Sequence, residues 1–257
     1  MASPTYAPGT PSWVDLGTPD VGASKAFYGE LFGWKAETSP DPQFGGYTMF
    51  LLGDQSAAGC GPLMSPQQPP AWSTYVSTAD AGATTEKVRS AGGQVLVAPM
   101  QIADQGTMAV YMDPSGAAIS VWQPGQHTGS DVTNVPNSYC WSELHTRDLD
   151  AARRFYASVF GWDARTNPMG DTSYTEWLLD GKSIAGALPM GDNFPPEVPP
   201  HWLVYFAVSD TDVAVSTATR LGARTLMPVM DAPVGRFTAL TDPQGATFGV
   251  ITLAGGM

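Results

Sequence analysis

Four segments of the chain place apolar residues at the spacing of a helix that buries one face, and each segment opens at an aspartate. An aspartate in that position accepts a hydrogen bond from an otherwise unpaired amide, and its charge suits the positive end of a helix. A glycine after the last turn permits the left-handed conformation that ends many helices. The sequence therefore predicts four helices, which open at Asp20, Asp80, Asp148 and Asp210 and stop at Gly33, Gly92, Gly161 and Gly222.

A short strand pattern that begins with tryptophan precedes each predicted helix, and further strand-like runs with turns between them follow it. Among these turns, Gly53-Asp54 and Asp180-Gly181 favour hairpins. The order of elements is therefore β-α-β-β-β, four times over. The four leading strands are predicted at residues 13–18, 72–78, 141–146 and 202–208.

The chain contains an internal repeat. Residues 13–34 (WVDLGTPDVGASKAFYGELFGW) align without a gap with residues 141–162 (WSELHTRDLDAARRFYASVFGW), and an Asp-Pro-x-Gly turn at 113–116 recurs at 242–245. Self-similarity of this kind indicates two domains of one type. For 257 residues we predict a first domain over 8–124, a linker rich in Gly, Pro, Ser and Asn over 125–137, and a second domain over 138–257.

Charge and composition narrow the choice of partners. The chain has 12 Lys and Arg against 24 Asp and Glu, a net charge of −12, which repels phosphate backbones and anionic lipids. Nucleic acid and membrane partners are therefore not expected. No apolar run approaches the roughly 18 residues of a membrane helix, and the opening residues do not resemble a secretory signal. We expect a cytoplasmic protein in which Cys60 and Cys140 are reduced thiols.

The FY-x3-FGW blocks, the helix-opening aspartates and the two Asp-Pro-x-Gly turns resemble the vicinal oxygen chelate superfamily over residues 10–253. That superfamily includes glyoxalase I, bleomycin-resistance proteins, fosfomycin-resistance enzymes and extradiol dioxygenases, and the chain looks most like two-domain glyoxalase-like proteins of actinobacteria. The resemblance implies an α+β fold of two tandem glyoxalase-like domains. Each domain would consist of two βαβββ units that form a half-open mixed β-sheet cup for a small molecule.

The resemblance also implies where a metal would bind. Metal-dependent members hold a divalent ion with His or Gln on the first strand, His on the fifth and Glu on the eighth. Counted from the helix-opening aspartates and the Asp-Pro-x-Gly turns, those positions in the two halves hold Trp13, Ser73, Ser120, Trp141, Leu203 and Gly249. Because these are not normal metal ligands, we predict no metal and no other cofactor.

Alternation along a strand places residues two apart on one face, so an aromatic wall is expected in each cup. A tryptophan on a strand more often packs in a core than against a ligand, and an arginine such as Arg236 could equally pair with an aspartate. With those alternatives open, the predicted ligand-binding residues are Trp13, Trp141, Tyr75, Tyr205, Ser73, Ser120, Trp122 and Arg236.

Three titratable residues share the same faces: Asp15 in the first half, and Glu143 with His145 in the second. Asp15 and Glu143 occupy equivalent positions of the repeat, and burying a charge without a partner is costly. They serve either as structural hydrogen-bond acceptors or as catalytic acids and bases, with His145 as a partner. His201 is interpreted as a residue of the cup rim, and His127, in the linker, is given no role.

Three functions remain open. The first is a metal-free protein, monomer or homodimer, that sequesters a hydrophobic, aromatic or polyketide-like small molecule for resistance. The second is a metal-independent isomerase, cyclase or lyase in which Glu143 or Asp15 moves a proton. The third is a metal-dependent glyoxalase or dioxygenase that recruits Asp15, Glu143 and His145 at shifted positions. Whether the protein is an enzyme is left undecided by the sequence.

Overall fold

The structure is a computed structural model that describes residues 5–170, 172–192 and 194–255. Its helices are α1 (Val21–Phe32), α2 (Ala81–Ser90), α3 (Leu149–Phe160) and α4 (Thr211–Arg220), with a 3₁₀ turn at Pro42–Phe44. In these ranges no helix has both the length and the apolar character to cross a membrane. The strands are β1 (Pro11–Thr18), β2 (Lys35–Thr38), β3 (Thr48–Leu52), β4 (Gln55–Pro62), β5 (Ala71–Ser77), β6 (Gln94–Ile102), β7 (Gly106–Met112), β8 (Ala118–Pro124), β9 (Ser138–Thr146), β10 (Asp163–Met169), β11 (Thr172–Leu179), β12 (Lys182–Pro189), β13 (His201–Ala207), β14 (Arg224–Thr225), β15 (Met230–Ala232), β16 (Gly235–Thr241) and β17 (Thr247–Leu253).

The four predicted helices are confirmed, and their ends follow local chemistry. Asp20 and Asp148 are N-caps whose carboxylates accept the amide of the residue three positions on, at 2.9 and 2.8 Å. Gly33 and Gly161 end α1 and α3 in the left-handed conformation, with φ of 70° and 74°. Helices α2 and α4 begin at the equivalent aspartates and stop just before their predicted glycines.

Each of the four modules combines one helix with a mixed β-ladder, which confirms the predicted α+β class. The strands pair within four ladders, in the orders β2-β3-β4-β1, β5-β8-β7-β6, β10-β11-β12-β9 and β13-β17-β16-β14. In each ladder the leading strand pairs in parallel with the last strand of the same module. The remaining pairs are antiparallel.

The fourth module departs from the predicted β-α-β-β-β order. In place of one long strand it has two short ones, β14 and β15, and both pair with β16. Pro228 lies between them and supplies no backbone N–H to the ladder, which accounts for the break. In β6, by contrast, Pro99 is accommodated within a shift of register between Val97 and Met100.

The chain divides into two compact units that interleave the sequence halves. Unit 1 contains residues 1–13, 74–129 and 141–203, and unit 2 contains residues 14–73, 130–140 and 204–257, of which the ranges given above are described. Each unit thus combines one module from each half. The predicted boundaries at 8–124, 125–137 and 138–257 follow the sequence repeat and stay a prediction.

A buried hydrogen-bonded cluster in unit 1 explains why the repeated motifs occur together. Asp113, in the first Asp-Pro-x-Gly turn, accepts the hydroxyl of Tyr156 at 2.9 Å and the amides of Ser115 and Ala117. The oxygen of Tyr156 in turn accepts the indole N–H of Trp202 at 2.9 Å. Burial and the charge of Asp113 raise the pKa of Tyr156, so its hydroxyl keeps the proton that it donates.

Unit 2 repeats the arrangement with Asp242, Tyr28 and Trp72, at the same two distances of 2.9 Å. The tyrosines are fully buried and sit in the FY blocks on α1 and α3. These motifs therefore satisfy a buried carboxylate and fix helix against turn within each unit, which is a structural role.

Candidate functional site

Glu143 and His145 lie side by side on β9, in unit 1. Because they are two residues apart on a strand, their side chains project from the same face. His145 Nε2 is 2.7 Å from Glu143 Oε1. The two side chains are 8% and 11% exposed, so this contact is shielded from water. The structure thus brings together the two titratable residues that the alternation along this strand places on one face.

His201, at the start of β13, is a third member of this cluster. Its Nε2 is 3.1 Å from His145 Nδ1, and its Nδ1 is 2.9 Å from the carbonyl oxygen of Pro199. The ring of Phe194 packs edge-on against His145, with 5.2 Å between ring centres. His201, predicted to lie at the rim of the cup, is therefore hydrogen-bonded to His145 of the predicted catalytic pair. The two histidines are 56 positions apart in the sequence.

The backbone ahead of His201 is held by Arg147, in the turn that follows β9. Its guanidinium donates to the carbonyl oxygens of Pro195 at 2.9 Å and Val198 at 3.2 Å. A proline-rich segment has few backbone N–H groups of its own, so a side-chain donor is needed to fix its carbonyls. This contact positions His201 at the edge of the cluster.

Tyr174, on β11, approaches Glu143 from the neighbouring strands. Its oxygen accepts the indole N–H of Trp141 at 2.9 Å, and its hydroxyl is hydrogen-bonded to Glu143. Burial, the negative charge of Glu143 and that hydrogen bond raise the pKa of Tyr174, and the Trp141 contact opposes them. Gly186 lies opposite Glu143 on β12, where a Cβ atom would be 1.9 Å from the tyrosine oxygen.

The equivalent strand of the first half, in unit 2, has the same acid, tyrosine and glycine. Tyr47 donates to Asp15 Oδ2 at 3.2 Å, and a Cβ atom on Gly59 would be 1.9 Å from the Tyr47 oxygen. The position of His145 is taken by Gly17, and the amide of Gln68 lies 3.1 Å from where its Cβ would be. Asp15 therefore has the tyrosine but no imidazole at the repeat position.

Several predicted ligand-binding residues of unit 1 meet around β1 and β8. Trp13 packs edge-on against His127 at 4.4 Å between ring centres, and the indole N–H of Trp122 donates to the His127 carbonyl oxygen at 2.8 Å. His127, which was given no role, thus contacts two predicted cup residues. Tyr75 and Ser120 are paired on β5 and β8, and both are buried. Binding of a ligand by these residues stays a prediction.

In unit 2, Tyr205 is buried and its ring fills the space beside Gly249, where a Cβ atom would be 2.2 Å away. Ser73 is half-buried at the middle of β5. Arg236 forms ion pairs with Asp212 at 2.9 Å and Asp231 at 2.8 Å, as the alternative reading of that residue allowed. Its guanidinium thus contacts two carboxylates, and its role in ligand binding stays a prediction.

Comparison with known proteins connects this arrangement to a family. The family model for the glyoxalase/bleomycin resistance protein/dioxygenase superfamily matches residues 10–121, and the glyoxalase-like domain model matches residues 141–251. The chain belongs to this superfamily. The resemblance drawn from its motifs is confirmed, as is its organisation as two tandem glyoxalase-like domains.

Named relatives of this superfamily member include two from Streptomyces. The anthracycline biosynthesis protein DauV of Streptomyces sp. (strain C5) is 41% identical over 96% of this chain and 94% of its own length. The anthracycline biosynthesis protein DnrV of Streptomyces peucetius is 40% identical over 98% and 96%. Among solved structures, the Mn(II)-bound glyoxalase of Novosphingobium aromaticivorans superposes with a TM-score of 0.64 at 16% identity, over 95% of this chain and 82% of that one. That likeness shows the fold.

The residues at the expected metal positions do not match the chemistry of a superfamily metal site. Leu203 and Gly249 have no donor atom in their side chains, and the indole N–H of Trp141 is engaged by Tyr174. Within the described ranges no group of three or more His, Cys, Asp or Glu side chains is arranged to hold an ion. The described residues at these positions therefore do not fit the metal centre of the superfamily.

The sequence carried two further signals at this site. Tyr47 recurs as Tyr174 and Gly59 recurs as Gly186, both at a separation of 127 residues. The tyrosine pair is visible in the repeat, but its contact with the acidic residue depends on strand pairing. The role of the glycines follows only from the close approach of a tyrosine oxygen to the backbone.

Proposed function

We propose that the chain binds a hydrophobic, aromatic or polyketide-like small molecule in its second half and acts on it as a metal-independent acid–base enzyme. The reaction would be an isomerisation, a cyclisation or a lyase step in which one pair of residues takes a proton from the bound molecule and returns it. The observation that supports this proposal is the buried contact of 2.7 Å between Glu143 and His145. A carboxylate and an imidazole in contact, shielded from water, form a pair that can hold or release a proton at the carboxylate.

Glu143 is the proposed acid or base, and its neighbours hold it in place. The hydroxyl of Tyr174 keeps its proton and donates a hydrogen bond to Glu143, which restricts the rotation of the carboxylate. His145 donates a hydrogen bond to Glu143 when Glu143 is a carboxylate and accepts one from Glu143 when Glu143 is a carboxylic acid. One hydrogen bond therefore persists in both states of Glu143. The site therefore exchanges a proton without rearrangement of its heavy atoms.

The names of the relatives support the proposed substrate class. DauV and DnrV are named for anthracycline biosynthesis, and anthracyclines are fused-ring aromatic compounds. Sequestration of such a molecule without conversion is the second candidate function, favoured by the buried aromatic residues Trp13, Tyr75 and Trp122. A cytoplasmic location fits both functions and the free thiols of Cys60 and Cys140, whose pKa burial raises to about 12.

The experiment compares Glu143→Gln with Asp15→Asn, its match in the first half. An anthracycline is titrated against each protein by tryptophan fluorescence, and the compound is then recovered and analysed by mass spectrometry. Glu143→Gln preserves shape and removes the charge, so it should bind as the wild type does while conversion slows by about 10²–10⁴-fold. Asp15→Asn should convert at close to the wild-type rate, because the first half has Gly17 at the position that His145 occupies in the second half.

Two results would overturn the acid–base function. Wild-type protein that binds the compound and returns it unchanged supports sequestration instead. If the wild type and Glu143→Gln convert the compound at equal rates, the residues that carry out the reaction lie elsewhere in the molecule.

A further inference from the structure

His201 extends the proposed catalytic pair toward the surface. Glu143 and His145 are buried, whereas His201 is half-buried and follows Pro199, which is exposed. The order of contacts is Glu143 Oε1, His145 Nε2, His145 Nδ1, His201 Nε2, His201 Nδ1 and the Pro199 carbonyl oxygen, at 2.7, 3.1 and 2.9 Å. All four groups belong to unit 1, and one unbroken line of hydrogen bonds joins them.

The identities of the atoms fix how many protons this line holds. A carbonyl oxygen only accepts, so the proton of the 2.9 Å contact lies on His201 Nδ1. The His145–His201 contact joins two ring nitrogens, so one of them carries a proton. The Glu143–His145 contact holds one proton as well, on the carboxyl oxygen or on the ring nitrogen.

Three protons therefore occupy the three contacts, and the three side chains are together electrically neutral. The charge can be arranged in three ways. Glu143 is neutral with both rings neutral, or it is negative with the positive charge on His145, or it is negative with the positive charge on His201. These states interconvert by short proton shifts along existing hydrogen bonds, and no heavy atom has to move.

The surroundings favour different states at the two ends. Burial and the charge on His145 lower the pKa of His201, and the Pro199 carbonyl and the charge on Glu143 act in the opposite direction. Tyr174 stabilises the carboxylate at the other end. The positive charge is thus not fixed on the outer ring, His201.

We propose that His201 is the outer end of a proton relay through which Glu143 exchanges its proton with water, an inference that rests on the acid–base function proposed above. Glu143 is negative when it takes a proton from a bound molecule, so His145 Nε2 already carries the proton of their contact and the positive charge lies on His145. His145 then passes its Nδ1 proton to His201 Nε2, and the proton on His201 Nδ1 leaves to water. One proton enters and one leaves, so the charge balances, and the reverse order returns a proton to the product.

The first experiment needs no ligand. The chain has three histidines, so a ¹⁵N-histidine spectrum contains three rings, and His127→Gln identifies the one outside the relay. We expect His201 to be protonated at Nδ1, with a coupling across the hydrogen bond between His145 Nδ1 and His201 Nε2. A His201 ring without a proton on Nδ1, or absence of the coupling, would overturn the relay.

The second experiment measures turnover of an anthracycline by His201→Gln, whose amide preserves polarity and cannot relay a proton. We expect kcat to fall about 10–100-fold, KM to stay near the wild-type value, and added imidazole to restore part of kcat. An unchanged kcat would contradict the relay. If the wild type converts no compound, the acid–base function fails, and the spectrum of the first experiment still decides whether the hydrogen-bonded line exists.

Discussion

At the residue scale, alternation along the leading strands was enough to place Glu143 and His145 together. Their mutual contact follows from spacing on one strand, which the sequence contains. Tyr174 and His201 are different, because they reach the pair from strands 31 and 58 positions after Glu143. Such contacts depend on which strands pair and on how loops pack, and hydrophobic periodicity does not encode either.

Replacement of Gly186 by alanine tests how closely Tyr174 approaches the backbone. A Cβ atom there would lie 1.9 Å from the Tyr174 oxygen, so the ring has to shift and its bonds to Trp141 and Glu143 weaken. We expect the free energy of unfolding to fall by about 1–3 kcal/mol, as for an overpacked core. Denaturant unfolding measures the loss.

The control for that substitution is Gly191→Ala, also in unit 1. Gly191 is exposed, and a Cβ atom there would meet nothing within 4 Å. We expect its stability to change by less than about 0.5 kcal/mol. Equal stability of the two variants would show that Tyr174 has room to move.

At the element scale, the helices were the most predictable part of the fold. Their first and last residues are set by local interactions, such as the contact of Asp148 with the Ala151 amide, and these depend only on neighbours in the chain. Strand order was less predictable. The broken strand pair β14 and β15 shows why, since Pro228 interrupts its ladder and Pro99 in β6 does not.

Asp148→Ala removes the N-cap of α3, the helix that carries Tyr156 into the buried cluster with Asp113. The amide of Ala151 loses its acceptor, so we expect a loss of about 1 kcal/mol in the free energy of unfolding. Asp150→Ala is the matched control in the first turn of the same helix. Its side chain is 77% exposed and pairs with Arg153 at 3.5 Å, so a smaller loss is expected.

Thermal or denaturant unfolding of both variants provides the comparison. If Asp150→Ala destabilises the protein as much as Asp148→Ala, general charge at the helix terminus, rather than the capping hydrogen bond, accounts for the effect.

At the scale of the whole molecule, the repeated modules share the residues of their buried clusters and differ at the candidate catalytic positions of their leading strands. Asp113, Tyr156 and Trp202 in unit 1 match Asp242, Tyr28 and Trp72 in unit 2 in both identity and distance. The leading strands, by contrast, carry His145 in one half and Gly17 in the other. The repeat predicted the common fold, and the interleaving of modules into two compact units has no counterpart in the order of the sequence.

The residues at the expected metal positions of both halves lead to a prediction about the metal content of the protein. The expected ligand positions hold Trp13, Ser73 and Ser120 in the first half and Trp141, Leu203 and Gly249 in the second. Leucine and glycine offer no side-chain donor, and the Tyr205 ring occupies the space beside Gly249. His145, the strongest donor near these positions, has both ring nitrogens in hydrogen bonds, so binding an ion would break at least one of them.

We therefore expect purified protein to contain far less than one Zn, Ni, Mn or Fe per chain by elemental analysis. Chelator should leave its unfolding temperature unchanged, because no binding energy is lost with the metal. Saturating Mn²⁺ or Zn²⁺ should raise that temperature no more in the wild type than in the His145→Gln variant. One tightly held ion per chain, lost together with activity when the protein is treated with chelator, would replace the acid–base function by metal-dependent chemistry at a site built from other residues.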